Sequence, residues 1–215
     1  MTDSTIQRLR ERIVLHGSSL FERGFTVGSS GNISVRVPGG FLVTPTNSCL
    51  GRLDPGGISL VDENWGYISG DKPSKELPLH RVMFETRPKT QAVVHLHSTY
   101  ATALSLLQGV DPANMLPPIT PYAVMRVGKL ALVPYTRPGS DEVIVHIRAL
   151  QGKHKAILLG NHGPVVADQS LDDAVYASEE LEETAKLVVI TRQMQPKLLS
   201  AADVTDLIKT FKLDL

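Results

Sequence analysis

Two short apolar segments joined by a Pro-Gly-Gly turn constrain the fold of this 215-residue chain more than any other feature. Residues 33–37 alternate apolar and polar side chains, and an apolar segment over 41–43 follows the turn. This pattern predicts a β-hairpin. A second pair of short strands is predicted over 59–62 and 65–69. Because hairpins join antiparallel neighbours, we expect a mainly antiparallel sheet.

Helical periodicity interleaves with these strands. Helices are predicted from Ile6 to about Gly24, from 73–77 to before Pro88, over 99–107, from Ser140 to Leu150, from Ser170 to Met194 and over 202–210. Further strands are predicted over 92–97, 129–133, 156–159 and 163–167. The chain has the size of one domain, and 42% hydrophobic residues supply a sizeable core. We therefore expect one α/β domain over residues 1–215, with helices packed on the faces of the sheet.

The charge balance argues against two classes of partner. Lys+Arg 22 against Asp+Glu 22 gives a formal net charge of +0 at pH 7, so no basic surplus exists to bind nucleic acid or an anionic membrane. The lone Cys49 excludes an internal disulfide and fits a reducing compartment. The charged segment 1–12 lacks a signal-peptide core, and no later run approaches a membrane span. A cytoplasmic location is expected.

His95 and His97 stand one residue apart in an apolar strand, where the period of two places both imidazoles on one face. That geometry suits a metal ion, although two hydrogen-bonded structural histidines fit the pair equally well. His162 favours the metal, because it lies between two predicted strands among small neighbours that admit a side chain to a crowded site. Three neutral imidazoles suit Zn²⁺ and leave a position for a carboxylate, water or substrate oxygen.

The other histidines carry less weight. His16, His146 and His154 are expected to face solvent, and His80, one helical turn after Glu76, is expected to support the site from behind.

Glu76 stands at the start of a predicted helix, where an isolated carboxylate is most simply one stabilised by the helix dipole. Beside a metal, it can ligate the ion while ionised and carry a proton once substrate oxygens displace it. Ser74 and Lys75 place a hydroxyl and a cation at the same helix N-terminus, which favours a phosphate. A solvent-facing side chain is the alternative for Lys75. The loops over 28–32 and 44–47 offer further anion contacts, although each also reads as a simple connector.

Five motifs occur in an order that resembles the class II aldolase/adducin family. They are Ser-Gly-Asn-Ile-Ser at 30–34, Thr-Pro-Thr at 44–46, Ser-Lys-Glu at 74–76, His-Leu-His at 95–97 and Asn-His-Gly at 161–163. The resemblance covers nearly the whole chain. It implies a three-layer α/β/α domain with a mainly antiparallel central sheet, a Zn²⁺-dependent site (Mn²⁺ being the alternative metal), and a cyclic homotetramer with sites near subunit interfaces.

The resemblance also implies roles for particular residues. It assigns the metal to His95, His97, His162 and Glu76, with Glu76 also acting as the acid/base. It assigns a substrate phosphate to Gly31, Asn32, Thr46, Asn47, Ser74 and Lys75. Two positions depart from the aldolases of the family, which typically carry Ser in place of Lys75 and Gly in place of Asn47.

Segments 72–76, 95–100 and 120–125 most resemble the 3-oxo-tetronate 4-phosphate decarboxylase branch of the family. That branch implies decarboxylation of a phosphorylated sugar acid to dihydroxyacetone phosphate and CO₂ through a metal-stabilised enediolate, which Glu76 would protonate. Tyr122 and Arg137 are expected to orient the departing carboxylate, with packing and a surface turn as their alternatives.

Other activities remain open at this point, because an aldolase passes through the same enediolate. The alternatives are a fuculose-1-phosphate-type aldolase, a pentulose-5-phosphate 4-epimerase, a methylthioribulose-phosphate dehydratase and a non-catalytic adducin-like binding module. The three histidines and Glu76 argue against the binding module, because packing alone rarely requires such a set.

Overall fold

Helices and short strands alternate along the chain. The computed structural model describes residues 3–213, so residues 1, 2, 214 and 215 of the expected domain lie outside the described residues. The helices are α1 (Asp3–Glu22), α2 (Leu77–Thr86), α3 (Thr99–Ser105), α4 (Glu142–Ala149), α5 (Leu171–Thr191) and α6 (Ala201–Phe211). The strands are β1 (Asn32–Val37), β2 (Gly40–Val43), β3 (Ser59–Asp62), β4 (Tyr67–Ser69), β5 (Ala92–His95), β6 (Leu130–Val133), β7 (Ala156–Leu159) and β8 (Gly163–Asp168).

The strands form one eight-stranded sheet in the order β4-β3-β2-β1-β5-β8-β7-β6. The predicted hairpins are present, with β1 antiparallel to β2 and β3 antiparallel to β4. The expected fold class, α/β/α layers around a mainly antiparallel sheet, was wrong in omitting a parallel pair of strands. The sheet is mixed, because the edge strand β6 runs parallel to β7, while the other pairs of neighbours are antiparallel.

The parallel pair has a simple physical cause. Helix α4 lies between β6 and β7 in the chain. It returns the backbone to the end of the sheet at which β6 begins, so that β7 runs in the same direction as β6. The early hairpins gave no sign of this crossover, because a tight turn can join only antiparallel strands.

Apolar side chains cover both faces of the sheet. On one face, Ile13 and Leu20 of α1 pack with Val35 and Val94 of the sheet and with Val175 of α5. Helix α3 and the rest of α5 continue the same layer over β6, β7 and β8.

The opposite face is covered by α2 and α4. Val82 and Met83 of α2 and Ile147 of α4 are buried against Val93 of β5 and Val165 of β8. None of the helices described within residues 3–213 combines the length and apolar character needed to cross a membrane.

Strands β5 and β8 meet at the centre of the sheet, with His95 opposite Val165. Their approach is so close that a Cβ on Gly163 would lie 2.2 Å from the backbone oxygen of Leu96. Glycine is needed there, because the obstructing atom belongs to the backbone and cannot move by changing a rotamer. The contact places His162, which precedes Gly163, beside the end of β5.

We expect Gly163→Ala to lower the free energy of unfolding by about 1–3 kcal/mol, the usual cost of overpacking a closed contact. Gly56→Ala is the matched control, because a Cβ there meets its nearest atom, on Asp54, at an ordinary 3.5 Å. Urea denaturation of both variants measures the difference. Equal stability of the two variants would show that β5 and β8 can separate without cost.

Candidate active site

Three imidazole nitrogens converge at the end of β5. The Nε2 atom of His95 lies 3.1 Å from that of His97 and 3.3 Å from that of His162, and the last two are 3.0 Å apart. The carboxylate oxygens of Glu76 lie 3.5 Å from Nε2 of His95 and 3.6 Å from Nε2 of His162. Ligand atoms from the four residues all lie within 4.8 Å of one another. The structure therefore brings together the four side chains that the sequence analysis assigned to a metal.

Strand β5 positions the first two histidines. It ends at His95, two residues earlier than predicted, because the chain then turns away toward α3, which begins at Thr99. The backbone N–H of Leu96 still donates to the Pro164 oxygen at 3.2 Å. This bond keeps the chain beside β8 for one more residue, so that His97 remains next to His95.

The third histidine sits on a tight turn between β7 and β8, where Leu159 pairs with Gly163. Asn161 takes the left-handed conformation with φ 57, which asparagine tolerates better than most residues. The N–H of His162 donates to the oxygen of Leu159 at 3.2 Å and closes the turn. The imidazole is thereby presented to the two histidines of the neighbouring segment.

The spacing of these atoms fits ligands of a single divalent cation. Ligand atoms about 2.0–2.1 Å from a tetrahedral ion lie about 3.3 Å from one another, close to the imidazole separations here. The ring of His95 is also correctly oriented, because its Nδ1 donates to the Pro164 oxygen at 2.9 Å and leaves the Nε2 lone pair facing inward. The donor set, three imidazoles and a carboxylate, is one that Zn²⁺ and similar ions accept.

Glu76 precedes α2 at the N-cap position but makes no side-chain bond to that helix. Its Oε2 instead accepts a hydrogen bond of 2.7 Å from Nδ2 of Asn32, in a buried setting. The carboxylate of Glu76 therefore does not cap α2; the bond from Asn32 holds it near the histidines instead.

Burial and charge set the protonation of this cluster. Burial acts to raise the pKa of Glu76, but the neighbouring histidines and the hydrogen bond from Asn32 outweigh it and lower that pKa to about 2. Burial lowers the pKa of His95 and His97, and it lowers the pKa of His162 to about 4. Near neutral pH the site therefore presents an ionised carboxylate and neutral imidazoles, which is the form that binds cations.

A buried chain of polar groups supports Glu76 from behind. Burial lowers the pKa of His80 to about 3, so its ring is neutral. Nε2 of His80 donates to Oδ1 of Asn32, and the hydroxyl of Ser34 donates to Nδ1 at 2.6 Å. These bonds fix the amide of Asn32 so that its NH₂ group points at Glu76. The support from His80 was expected from the sequence, whereas the bond from Ser34 was not, because a serine in a hairpin strand carries no signal of such a role.

A cavity of about 240 Å³ opens beside this cluster, lined in part by Glu76, His97 and His162. All six residues assigned to a substrate phosphate also line it: Gly31, Asn32, Thr46, Asn47, Ser74 and Lys75. The loop containing Gly31 is pressed against β5, because a Cβ there would lie 3.0 Å from the oxygen of His95. The cavity is therefore lined both by members of the metal-capable cluster and by the residues expected to contact a phosphate.

Two residues with expected catalytic roles differ in placement. Tyr122 precedes a π-helical turn over Ala123–Val127, is 58% exposed, and is not among the residues that line the cavity. Arg137 is exposed on a loop that borders Glu76 and His162. Of the two, only Arg137 is near the site of its own chain.

Of the three other histidines expected to face solvent, His16 contradicts the expectation. Its side chain is mostly buried, with Nε2 2.7 Å from an oxygen of Asp172. His146 and His154 are partly buried, so each keeps some access to solvent.

Comparison with known proteins agrees with the geometry. Residues 11–189 match the model of the class II aldolase and adducin N-terminal domain. A 3-oxo-tetronate 4-phosphate decarboxylase of Escherichia coli (strain K12) is 48% identical over 202 residues, covering 94% of this chain and 95% of the relative. An L-fuculose phosphate aldolase of Methanococcus maripaludis (strain C7 / ATCC BAA-1331) is 35% identical over 176 residues, covering 82% and 93%.

A solved structure shares the fold over nearly its full length. The crystal structure of YgbL from Klebsiella pneumoniae matches with a TM-score of 0.91 and 48% identity, covering 94% of this chain and 98% of that one. The resemblance carried by the five motifs is confirmed. The chain belongs to the family of the class II aldolase and adducin N-terminal domain.

Proposed function

We propose that this chain is a metal-dependent carboxy-lyase that converts a 3-oxo-tetronate 4-phosphate to dihydroxyacetone phosphate and CO₂. The observation that carries the proposal is the 48% identity, over 94% of the chain, to a relative with that activity. The geometry supports it, because a metal-capable cluster adjoins a cavity lined by anion-binding groups.

The resident cofactor in this proposal is Zn²⁺, held by Glu76, His95, His97 and His162. When bound, the cation would supply Lewis acidity for the negative charge that develops on substrate oxygens as CO₂ departs. The protein orients these ligands: the carbonyl of Pro164 accepts a hydrogen bond from His95, and the amide of Asn32 donates one to Glu76.

The substrate phosphate is assigned to the cavity wall formed by Thr46, Ser74 and Lys75. Ser74 is suited to this role, because its Oγ already accepts from the N–H of Glu76 at 3.2 Å and keeps its own hydrogen to donate. The backbone N–H of Thr46 already donates to the backbone oxygen of Lys72 at 2.9 Å, so the hydroxyl of Thr46 is the group left to bind the phosphate. The ammonium group of Lys75 adds positive charge at the same wall. Arg137 is assigned to the carboxylate that is lost as CO₂, because its loop borders Glu76 and His162.

Glu76 is assigned the proton transfer. Loss of CO₂ breaks the bond between the carboxyl carbon and its neighbour and leaves an electron pair on that neighbour, as an enediolate. A proton delivered by Glu76 to this carbon gives dihydroxyacetone phosphate, and one proton from solvent restores the acid. Because the hydrogen bond from Asn32 favours the ionised carboxylate, Glu76 must loosen that bond to hold a proton.

A homotetramer with sites near the interfaces is also part of the proposal. Its support is the apolar surface near the C-terminus, where Ile190, Met194 and Phe211 are exposed and α6 buries none of its own residues in the described chain. Tyr122, exposed and outside the cavity, would reach a site only in a neighbouring copy. A cytoplasmic location is proposed on the charge balance and the lone Cys49, which is free.

An aldolase acting on a sugar 1-phosphate is the second candidate. The 35% identity to an L-fuculose phosphate aldolase supports it, and both reactions pass through the same enediolate. Product chemistry therefore has to separate them.

The purified metal-loaded protein should release one CO₂ and one dihydroxyacetone phosphate from each 3-oxo-tetronate 4-phosphate. In D₂O, the carbon that lost CO₂ should carry one deuterium, because the enediolate is protonated there. A coupled assay and NMR of the product measure both. Efficient release of an aldehyde from fuculose 1-phosphate, without CO₂ from the keto acid, would assign the chain to the aldolases instead.

Glu76→Gln should lower kcat by about 10²- to 10⁴-fold, the usual contribution of a positioned acid or base. Steady-state kinetics with saturating metal gives the number, and KM should change far less. Glu85→Gln, on the exposed side of α2 beside Arg81 and Arg148, is the control and should retain the native kcat. Near-normal turnover of the Glu76 variant would end the proposed proton-transfer role.

Lys75→Ala should raise KM for the phosphorylated substrate by about 10-fold, corresponding to the loss of one charge-assisted contact. Lys72→Ala tests a nearby exposed lysine that does not line the cavity and should leave KM unchanged. If both variants have the native KM, Lys75 faces solvent and the phosphate lies elsewhere.

A further inference from the structure

Helix α3 begins two residues after His97, and its first turn is capped by a side chain from another helix. Glu182 of α5 is buried, with Oε1 accepting from the N–H of Tyr100 and Oε2 accepting from the N–H of Ala101, both at 2.8 Å. The residue at the N-cap position, Ser98, makes no cap bond. Its buried Oγ also has no hydrogen-bond partner among the described residues. Glu182 thus does the work that an N-cap side chain usually does.

The same short helix holds the turn that carries the third histidine. The hydroxyl of Thr102 donates to the backbone oxygen of His162 at 3.2 Å. Oγ of Ser105 accepts from the N–H of Asn161 at 3.0 Å. Helix α3 is therefore bonded to two successive residues at the tip of the β7–β8 hairpin.

These contacts make α3 a common support for two of the three histidines. His97 joins it through the chain, and His162 joins it through hydrogen bonds. Ala101 and Leu104 of α3 also pack in one apolar cluster with Leu181 of α5, next in the chain to Glu182. A shift of α3 along α5 would therefore change the 3.0 Å separation between Nε2 of His97 and Nε2 of His162.

We propose that Glu182 is a positioning residue for the metal centre, acting through α3 on His97 and His162. The inference rests on the proposed metal site. Both carboxyl oxygens are needed, because Tyr100 and Ala101 each present an N–H. Glutamine offers only one acceptor, and its NH₂ group would face the other N–H. Glu182 therefore acts on His97 and His162 only through α3. The sequence gives no sign of this role, because Glu182 is one of several acidic residues in α5.

The experiment measures Zn²⁺ affinity of the metal-free, full-length protein by competition with a chromophoric chelator. Glu182→Gln should bind Zn²⁺ about 10-fold more weakly, at the lower end of the 10–100-fold effect of residues that orient ligands. Glu183→Gln changes the adjacent residue of α5, whose side chain is 60% exposed, and should bind Zn²⁺ like the wild type. Native affinity of Glu182→Gln would overturn the inference.

Thr102→Val is a second, milder variant that keeps the shape of the side chain and removes the bond to His162. It should also weaken Zn²⁺ binding and alter the visible absorption of the Co²⁺-loaded protein, which reports the geometry of the ligands. If Glu182→Gln fails to fold, this variant decides: native affinity and a native Co²⁺ spectrum would overturn the proposed role of α3.

The double variant adds a test that general destabilisation would not pass. Because both substitutions act through the same helix, the loss of affinity in Glu182→Gln with Thr102→Val should be smaller than the sum of the single losses on a free-energy scale. Strict additivity would mean that the two residues act independently and would contradict the inference.

His97→Ala separates failure of this inference from failure of the proposed function. If His97→Ala binds Zn²⁺ with native affinity, the proposed metal centre is wrong and the role of Glu182 falls with it. If His97→Ala loses the metal while Glu182→Gln and Thr102→Val retain it, the metal centre stands and the positioning role alone is overturned.

Discussion

Three imidazole nitrogens lie 3.0–3.3 Å apart at the buried end of β5, so the three rings cannot all be protonated there. Protonation would place like charges in contact where little water can screen them. The protein meets this constraint with burial, which lowers the histidine pKa values, and with the backbone carbonyl of Pro164 outside the cluster. The bond from Nδ1 of His95 to Pro164 shows how the sheet itself selects the tautomer. Much of the central architecture serves to keep these rings in place.

The supports come from both sides of the sheet, and each uses a different device. Glu76 is held by a line of polar groups, Ser34, His80 and Asn32, that is wholly buried. His162 is held by a tight turn and by α3. The carboxylate side depends on a chain of side-chain hydrogen bonds, whereas the histidine side combines close backbone packing with hydrogen bonds to Pro164 and α3.

Much of the site could be predicted from the sequence, because its strongest signals are local. The hairpin over 33–43, the His-Leu-His segment and the glycine-flanked His162 each follow from spacing of a few residues. The parallel pairing of β6 with β7 could not be derived from the hairpins, because it depends on where α4 returns the chain. Contacts such as that of Glu182 with Tyr100 join residues 82 positions apart, and no short pattern records them.

The central pairing of β5 with β8 also bears on how the chain folds. His95 and His162 are 67 positions apart, so the ligand cluster can form only after β8 has docked beside β5. A cation bound there would stabilise the native state by about 4 kcal/mol when its free concentration is about 1,000 times Kd. A cation that binds the native state but not the folding transition state would slow unfolding rather than speed folding. The lifetime of the folded chain, rather than its rate of formation, would then follow the supply of metal.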